Sequence, residues 1–350
     1  MRLAPKVWIL TLALLSSVGL WTTRLRAIGQ EHTSGPLRLV DTIPMPNLKG
    51  RIDHMDVDVK GKRLFLAGLE NGSVEVIDLQ SGKWVRTIPG FKKPQGVCYV
   101  AALDKLFVAS GDDGMLRIFR GGTLALLDSV RLDSGANRVM YDTRRRRVYV
   151  GYDRKDGERA YGEIGIIDAT HDRHIGDIEV ASHPAEILLD GAGRKLFVLL
   201  PRADKVQVVD SETRQAVASW PVSSQRPGDA ALDRKHHRLF IGTHTPPQLI
   251  AMDSTNGKEV ATMPTVDGMD GVAFDAMHKR VYVSGGRGFA VGSVYVYVVK
   301  DADHYERLGQ VATRPGAGTS FWSPELNRYY VGAPAHDSEE AAVLVYEPVP

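Results

Sequence analysis

The sequence predicts an all-β fold of seven four-stranded modules closed into a ring, on three observations. A hydrophobic-aromatic step recurs seven times: Leu64-Phe65-Leu66, Leu106-Phe107-Val108, Val148-Tyr149-Val150, Leu196-Phe197-Val198, Leu239-Phe240-Ile241, Val281-Tyr282-Val283 and Tyr329-Tyr330-Val331. The aromatic residues stand 42, 42, 48, 43, 42 and 48 positions apart, which is the period of a propeller blade. The last repeat lacks a fourth strand, and a segment of matching pattern precedes the first repeat. Together these define a seven-bladed β-propeller whose N-terminal strand completes the last blade.

Residues 1–29 lie outside the repeat. Arg2 and Lys6 precede an apolar run from Val7 to Trp21, the charge-then-apolar layout of an export signal. Ala27-Ile28-Gly29 offers small residues for cleavage before Gln30, although Arg24 and Arg26 are atypical there. A signal peptide over 1–29, a linker over 30–36 and one propeller over 37–350 are expected, with a periplasmic or secreted location. An uncleaved N-terminal anchor is the alternative. No cysteine follows the apolar run, which excludes a lipoprotein.

Blade 1 shows the four strands clearly: His54–Val59, Arg63–Ala67, Ser73–Ile77 and Trp84–Ile88. Both faces of a blade pack on neighbours, so apolar runs such as Val139-Met140-Tyr141 and Ile187-Leu188-Leu189 are expected in place of strict alternation. Asp78, Asp168, Asp210 and Asp253 open the turns between third and fourth strands, where a carboxylate accepts backbone N–H groups. The fourth-strand pattern of Val85-Arg86-Thr87-Ile88-Pro89 returns as Val40-Asp41-Thr42-Ile43-Pro44. That segment is expected to supply the outer strand of blade 7 and leave no open sheet edge.

The composition is balanced: Lys+Arg 44 against Asp+Glu 42, formal net charge +2. It lacks the basic excess of a nucleic-acid binder. The run Arg144-Arg145-Arg146-Arg147 falls on a strand-to-strand turn and is expected to be solvated. Cys98 is the single cysteine, so there is no intramolecular disulfide and no thiolate cluster. In Val97-Cys98-Tyr99 it is expected to be buried and inert.

The Val/Leu-Tyr/Phe-Val steps, the turns Val76-Ile77-Asp78 and Ile166-Ile167-Asp168, and the lead-in Pro94-Gln95-Gly96 make residues 37–350 resemble the YVTN-repeat, YncE-like propellers. The sequence departs from that consensus at Ala67, Ala109, Gly151 and Ser284. The resemblance implies an exported seven-bladed propeller and no particular reaction.

Function is sought on the face where the chain leads into each innermost strand. Aligned on the aromatic step, His54, Gly96, Arg138, Glu186, Asp229, Gly271 and Thr319 are equivalent. One place earlier stand Asp53, Gln95, Asn137, Ala185, Gly228, Asp270 and Gly318. A turn needs only small residues there, so the charged ones suggest a mixed-charge recognition ring. Arg51, Asp53, His54, Gln95, Asn137, Arg138, Glu186, Asp229, Asp270, His244 and Arg287 are the expected ligand-binding residues. His54 and Asp56, two apart on a strand, point to one face. They are the catalytic residues if there are any, unless they form a structural pair across the ring closure.

His183, His244 and His336 sit on loops of the same face but on different blades, so no metal is expected. His236, His237 and His278 belong to the opposite turns and are expected in solvent. The insertions Tyr152–Gly162, Gly285–Gly292 and Pro334–Glu340 are expected as rim loops. The glycines of Gly285–Gly292 join two strands, which excludes a dinucleotide fingerprint.

The leading expectation is an exported, non-catalytic binding or scaffold propeller for a small polar ligand or a protein. It is expected to be monomeric, without a cofactor or nucleic acid, and to touch the membrane only through an uncleaved N-terminus. A lactonase-like hydrolase using His54 as base, Asp56 as its orienting group and Arg138 or Arg51 at an oxyanion is the alternative. A quinoprotein-like redox propeller, or the partner of one, is the second alternative.

Overall fold

Within each repeat, β-branched and aromatic residues form three inner strands, and turns rich in Asp and Gly reverse the chain between them. The computed structural model describes Met1, residues 35–289 and residues 291–350. The expected export segment and residues 30–34 of the linker lie outside the described residues. After β1 (Leu37–Pro44), blade 1 comprises β2 (Ile52–Asp58), β3 (Arg63–Gly68), β4 (Ser73–Asp78) and β5 (Lys83–Pro89). Blade 2 comprises β6 (Pro94–Val100), β7 (Lys105–Ser110), β8 (Met115–Arg120) and β9 (Leu126–Arg131). Blade 3 has β10 (Val139–Asp142), β11 (Arg147–Asp156), β12 (Arg159–Asp168) and β13 (Arg173–Val180). Blade 4 has β14 (Glu186–Leu189), β15 (Lys195–Leu200), β16 (Lys205–Asp210) and β17 (Gln215–Pro221). Blade 5 has β18 (Asp229–Asp233), β19 (Arg238–His244), β20 (Pro247–Asp253) and β21 (Glu259–Pro264). Blade 6 has β22 (Gly271–Asp275), β23 (Arg280–Gly285), β24 (Gly292–Val299) and β25 (Tyr305–Thr313). Blade 7 has β26 (Ser320–Ser323), β27 (Arg328–Ala333) and β28 (Ala342–Pro348).

The fourth strand of blade 7 is β1, antiparallel to β28 with Thr42 opposite Leu344 and Ile43 opposite Val343. The innermost strands adjoin in the order β2, β6, β10, β14, β18, β22, β26 and back to β2, so the ring is closed. The repeated aromatics Phe65, Phe107, Tyr149, Phe197, Phe240, Tyr282 and Tyr330 are all buried between blades. Burial of each is worth about 2–3 kcal/mol.

A feature not foreseen from the sequence marks the outer strand of every blade. One extra residue bulges out at Val85, Leu127, Ile175, Val217, Val260 and Leu308 in blades 1 to 6. The same bulge occurs at Val40 in β1. The borrowed strand therefore repeats the local geometry of the six native ones. Bulges twist an outer edge away from further pairing, which accounts for exposed aliphatic residues such as Val85 and Val217.

Several local expectations change. The insertion at Tyr152–Gly162 is a continuation of the β11–β12 hairpin, paired out to Asp156 opposite Arg159. The Arg144–Arg147 turn also stitches two blades together. Arg144 Nη1 donates to the carbonyl of Ala192 at 2.7 Å, and Arg145 pairs with Glu212 at 2.7 Å. His278 is bound to the buried carboxylate of Asp275 at 2.6 Å and only partly exposed, whereas His236 bonds Asp233 at 2.6 Å but stays in solvent, as does His237. Asp78, Asp168, Asp210 and Asp253 accept turn N–H groups as expected. Cys98 is buried, and burial raises its thiol pKa well above the usual range. Among the described residues no helix is long and apolar enough to cross a membrane.

Candidate functional site

The upper face, where the chain leads into the innermost strands, carries a charged circuit. Arg287 Nη1 contacts Asp270 Oδ1 at 3.0 Å, and the other oxygen of Asp270 lies 3.5 Å from Arg51 Nη2. The same Arg51 nitrogen reaches Asp53 Oδ2 at 3.0 Å, and Asp53 Oδ1 lies 3.5 Å from His54 Nδ1. Arg138 Nη1 stands 3.4 Å from that ring nitrogen, while its Nη2 is 2.8 Å from Glu186 Oε2. The Arg138–Glu186 approach is a charge contact without hydrogen-bond alignment. Asp229 is the next group, and its Oδ2 accepts the N–H of Val272 in blade 6 at 2.9 Å. Blades 1, 3, 4, 5 and 6 are thus linked around the axis. Blade 7 joins through Thr319, whose hydroxyl lies 3.1 Å from both Asp270 Oδ2 and the carbonyl of Ile52. Thr319 was aligned with these residues in sequence but carried no charge to single it out.

Blade 2 contributes no side chain to the circuit. At Gly96 a Cβ would collide with the carbonyl oxygen of Asn137, so packing between blades 2 and 3 requires glycine. At Gly271 a Cβ would meet the hydroxyls of Ser320 and Ser284. Of the remaining predicted residues, Gln95 lies over Gly111. Asn137 Oδ1 is buried without a hydrogen-bond partner among the described residues. His244 approaches Gly228, and burial followed by Arg226 and Arg287 lowers its pKa. His183 pairs with Asp153 at 3.2 Å and His336 with Asp337 at 3.4 Å, both remote in role from His54. Among the described residues no group of three or more His, Cys, Asp or Glu side chains is arranged to hold a metal ion.

The expected His54–Asp56 pair is corrected by the geometry. Asp56 accepts two backbone N–H groups, from Val57 and Tyr99, each at 2.7 Å. Its oxygens are occupied by the backbone, and the carboxylate nearest His54 is Asp53. His54 and Asp56 both line the channel as alternation predicts, and the pairing fails because the two oxygens of Asp56 are already taken by these N–H groups. Nor does Asp56 clamp blade 1 to blade 7; it bonds blade 1 to blade 2.

Burial sets the protonation of the site. It holds the His54 imidazole down to about 4, with Arg138 as the next cause, so the ring is neutral near pH 7. A guanidinium only donates, so Nδ1 turns its lone pair to Arg138 and the proton sits on Nε2. Burial pushes Asp56 up to about 6. Burial, with Asp229 beside it, drives Glu186 well above the usual range against the pull of Arg138. Asp53 and Asp270 are also raised by burial, opposed by Arg51 and Arg287.

Below this tier lies a channel cavity of about 490 Å³. It runs from His54, Arg138 and Asp229 down to Tyr141, Phe274 and Pro324. The next tier around the axis is largely apolar, with Cys98, Met140, Ala273 and Phe321 beside Asp56.

Fold and site together define a seven-bladed β-propeller with a charged upper tier over a channel whose middle is largely apolar. No protein-family model matches the chain. NirF of Pseudomonas aeruginosa is 24% identical over 265 residues, covering 66% of the chain and 62% of NirF. The chain thus spans less than two thirds of that relative's length. Among solved structures, a chain of Kuenenia stuttgartiensis hydrazine synthase superposes with a TM-score of 0.73 at 15% identity, covering 91% of this chain and 98% of that one. The Cps50 (Swd1) β-propeller domain of Myceliophteria thermophila gives 0.69 at 13% identity, covering 90% and 100%. At these identities the structural likeness shows the fold alone.

Proposed function

We propose that this chain is an exported, non-catalytic binding propeller that recognises a polar ligand or protein partner through its charged upper tier. The observation that carries the reading is the circuit from Arg287 to Asp229, in which His54 Nε2 has no hydrogen-bond partner among the described residues. A fixed ring of charges around one free N–H donor suits recognition, because it is organised before a ligand arrives. The charge-then-apolar N-terminus supports export, and the YVTN-like steps support a YncE-like relationship over residues 37–350.

The hydrolase reading asks for a base near neutrality with an orienting carboxylate. His54 is held down to about 4, and Asp56 is engaged by the backbone. Both favour recognition over proton transfer.

The test is native mass spectrometry of the full chain purified from its own host, beside a folded His54→Ala variant. A small molecule bound to the wild type and lost from the variant is expected. Equal occupancy in both, or lactone turnover that disappears with His54, overturns the reading.

A further inference from the structure

The lower end of the channel is ringed by the turns that leave the innermost strands. These turns sort charge by direction. Asp58, Asp142, Asp233 and Asp275 end their strands buried, at most 3% exposed. Each turns its carboxylate inward to accept N–H groups of its own turn, from Gly61, Arg144, Lys235 and Met277 respectively. The bases that follow face out. Lys60, Arg146, Lys235 and Lys279 are exposed and form no ion pair with another described residue. Lys62 and Arg234 add to these bases, against the exposed Glu325 of blade 7 and the half-buried Asp104 and Asp190 of blades 2 and 4, so the lower rim carries a positive balance although the chain is nearly neutral.

The cavity opens toward this rim, since it is lined down to Pro324 in the corresponding turn of blade 7. Its middle is lined by Cys98, Met140, Ala273 and Phe321 beside Asp56, and at its upper end the cation Arg138 is already paired with Glu186 and stands with the carboxylate of Asp229. The upper end offers an anion no unpaired cation, whereas the rim does, and an apolar body gains about 25 cal/mol per Å² inside.

We infer that the channel takes an anion with an apolar or aromatic body through its lower mouth, the body against Met140, Ala273 and Phe321 and the anionic group at the basic rim. This rests on the proposed reading in that the ligand reaches His54 of the charged tier, and it sets the approach on the opposite face. The leading end meets His54 Nε2–H, which suits a neutral acceptor there.

The test is isothermal titration of the full chain with 2-naphthoate and with neutral 2-naphthamide. Naphthoate is expected to bind about tenfold more tightly at low salt, with the advantage shrinking as salt screens the rim. Arg146→Glu/Lys235→Glu/Lys279→Glu removes that advantage and leaves naphthamide unchanged. Ala273→Trp abolishes both, with Ala273→Leu as the milder plug should the larger side chain prevent folding. Equal affinity for the two probes, a preference that survives the rim reversal, or no binding of either probe overturns the inference. Loss of both probes on plugging the channel, without any anion preference, removes only this inference. Binding that ignores the plug removes the channel as the site of these probes and this inference with it, while the upper-tier reading stands or falls on the His54→Ala comparison.

Discussion

The carboxylate of Asp56 in blade 1 accepts the backbone N–H of Tyr99 in blade 2 at 2.7 Å. Asp229 in blade 5 does the same for Val272 in blade 6 at 2.9 Å, and donor and acceptor are 43 positions apart in both pairs. Each carboxylate also accepts the N–H of its own next residue, Val57 at 2.7 Å and Ala230 at 2.8 Å. Innermost strands have one edge without a strand partner, so their N–H groups need another acceptor. A single device, set at two depths of the channel, meets that need and fastens neighbouring blades.

Replacing either acceptor leaves a buried N–H unpaired. Asp56→Ala and Asp229→Ala are each expected to cost about 1–3 kcal/mol in urea unfolding. If Asp56→Ala unfolds at the wild-type urea midpoint, the latch does not contribute. The His54 imidazole should keep its proton resonance position in Asp56→Ala, because the two groups do not touch.

Arg138 and the almost fully buried Glu186 form a second interdependent pair, at 2.8 Å. Removing the cation alone strands a buried carboxyl group, so Arg138→Met should lose about 3–5 kcal/mol. Arg138→Met with Glu186→Leu should recover most of that loss, since an apolar pair of similar volume replaces a buried ionic one. Strictly additive losses in this double-mutant cycle would show that the two side chains are not coupled.

The ring itself was legible in the sequence because it rests on periodicity. The Val40–Pro44 segment could be assigned to blade 7 from its likeness to Val85–Pro89 alone, and it pairs with β28. Alignment on the aromatic step also brought His54, Arg138, Glu186 and Asp229 to one tier. What escaped was local. The two backbone N–H groups that claim the Asp56 carboxylate, from Val57 and from Tyr99 of the next blade, leave no signal in sequence periodicity. The inward turn of Asp142 and Asp233 was also hidden, because an Arg-rich run reads as solvent until its carboxylate's hydrogen bonds are seen.

The pH dependence of stability isolates His54. In the unfolded chain its imidazole titrates near 6.5, and in the folded chain at about 4. Between these values the unfolded state binds a proton that the native state does not, so stability rises with pH across the window. The contribution is complete above about pH 6.5 and is lost as the pH falls through about 4. Asp56 works in the opposite sense: its folded value of about 6 exceeds the usual 3.8, so its contribution is lost as the pH rises through 6. The two oppose each other between pH 4 and 6, and the wild-type profile alone does not separate them. Urea unfolding of the wild type and His54→Gln from pH 4 to 7 does, because the variant lacks only the histidine slope. The difference between the two profiles should grow with pH in the direction of a more stable wild type. Parallel profiles, or a His54 ring signal that titrates near 6.5 in the folded protein, would show that the imidazole is solvated and that the upper tier is not closed around it.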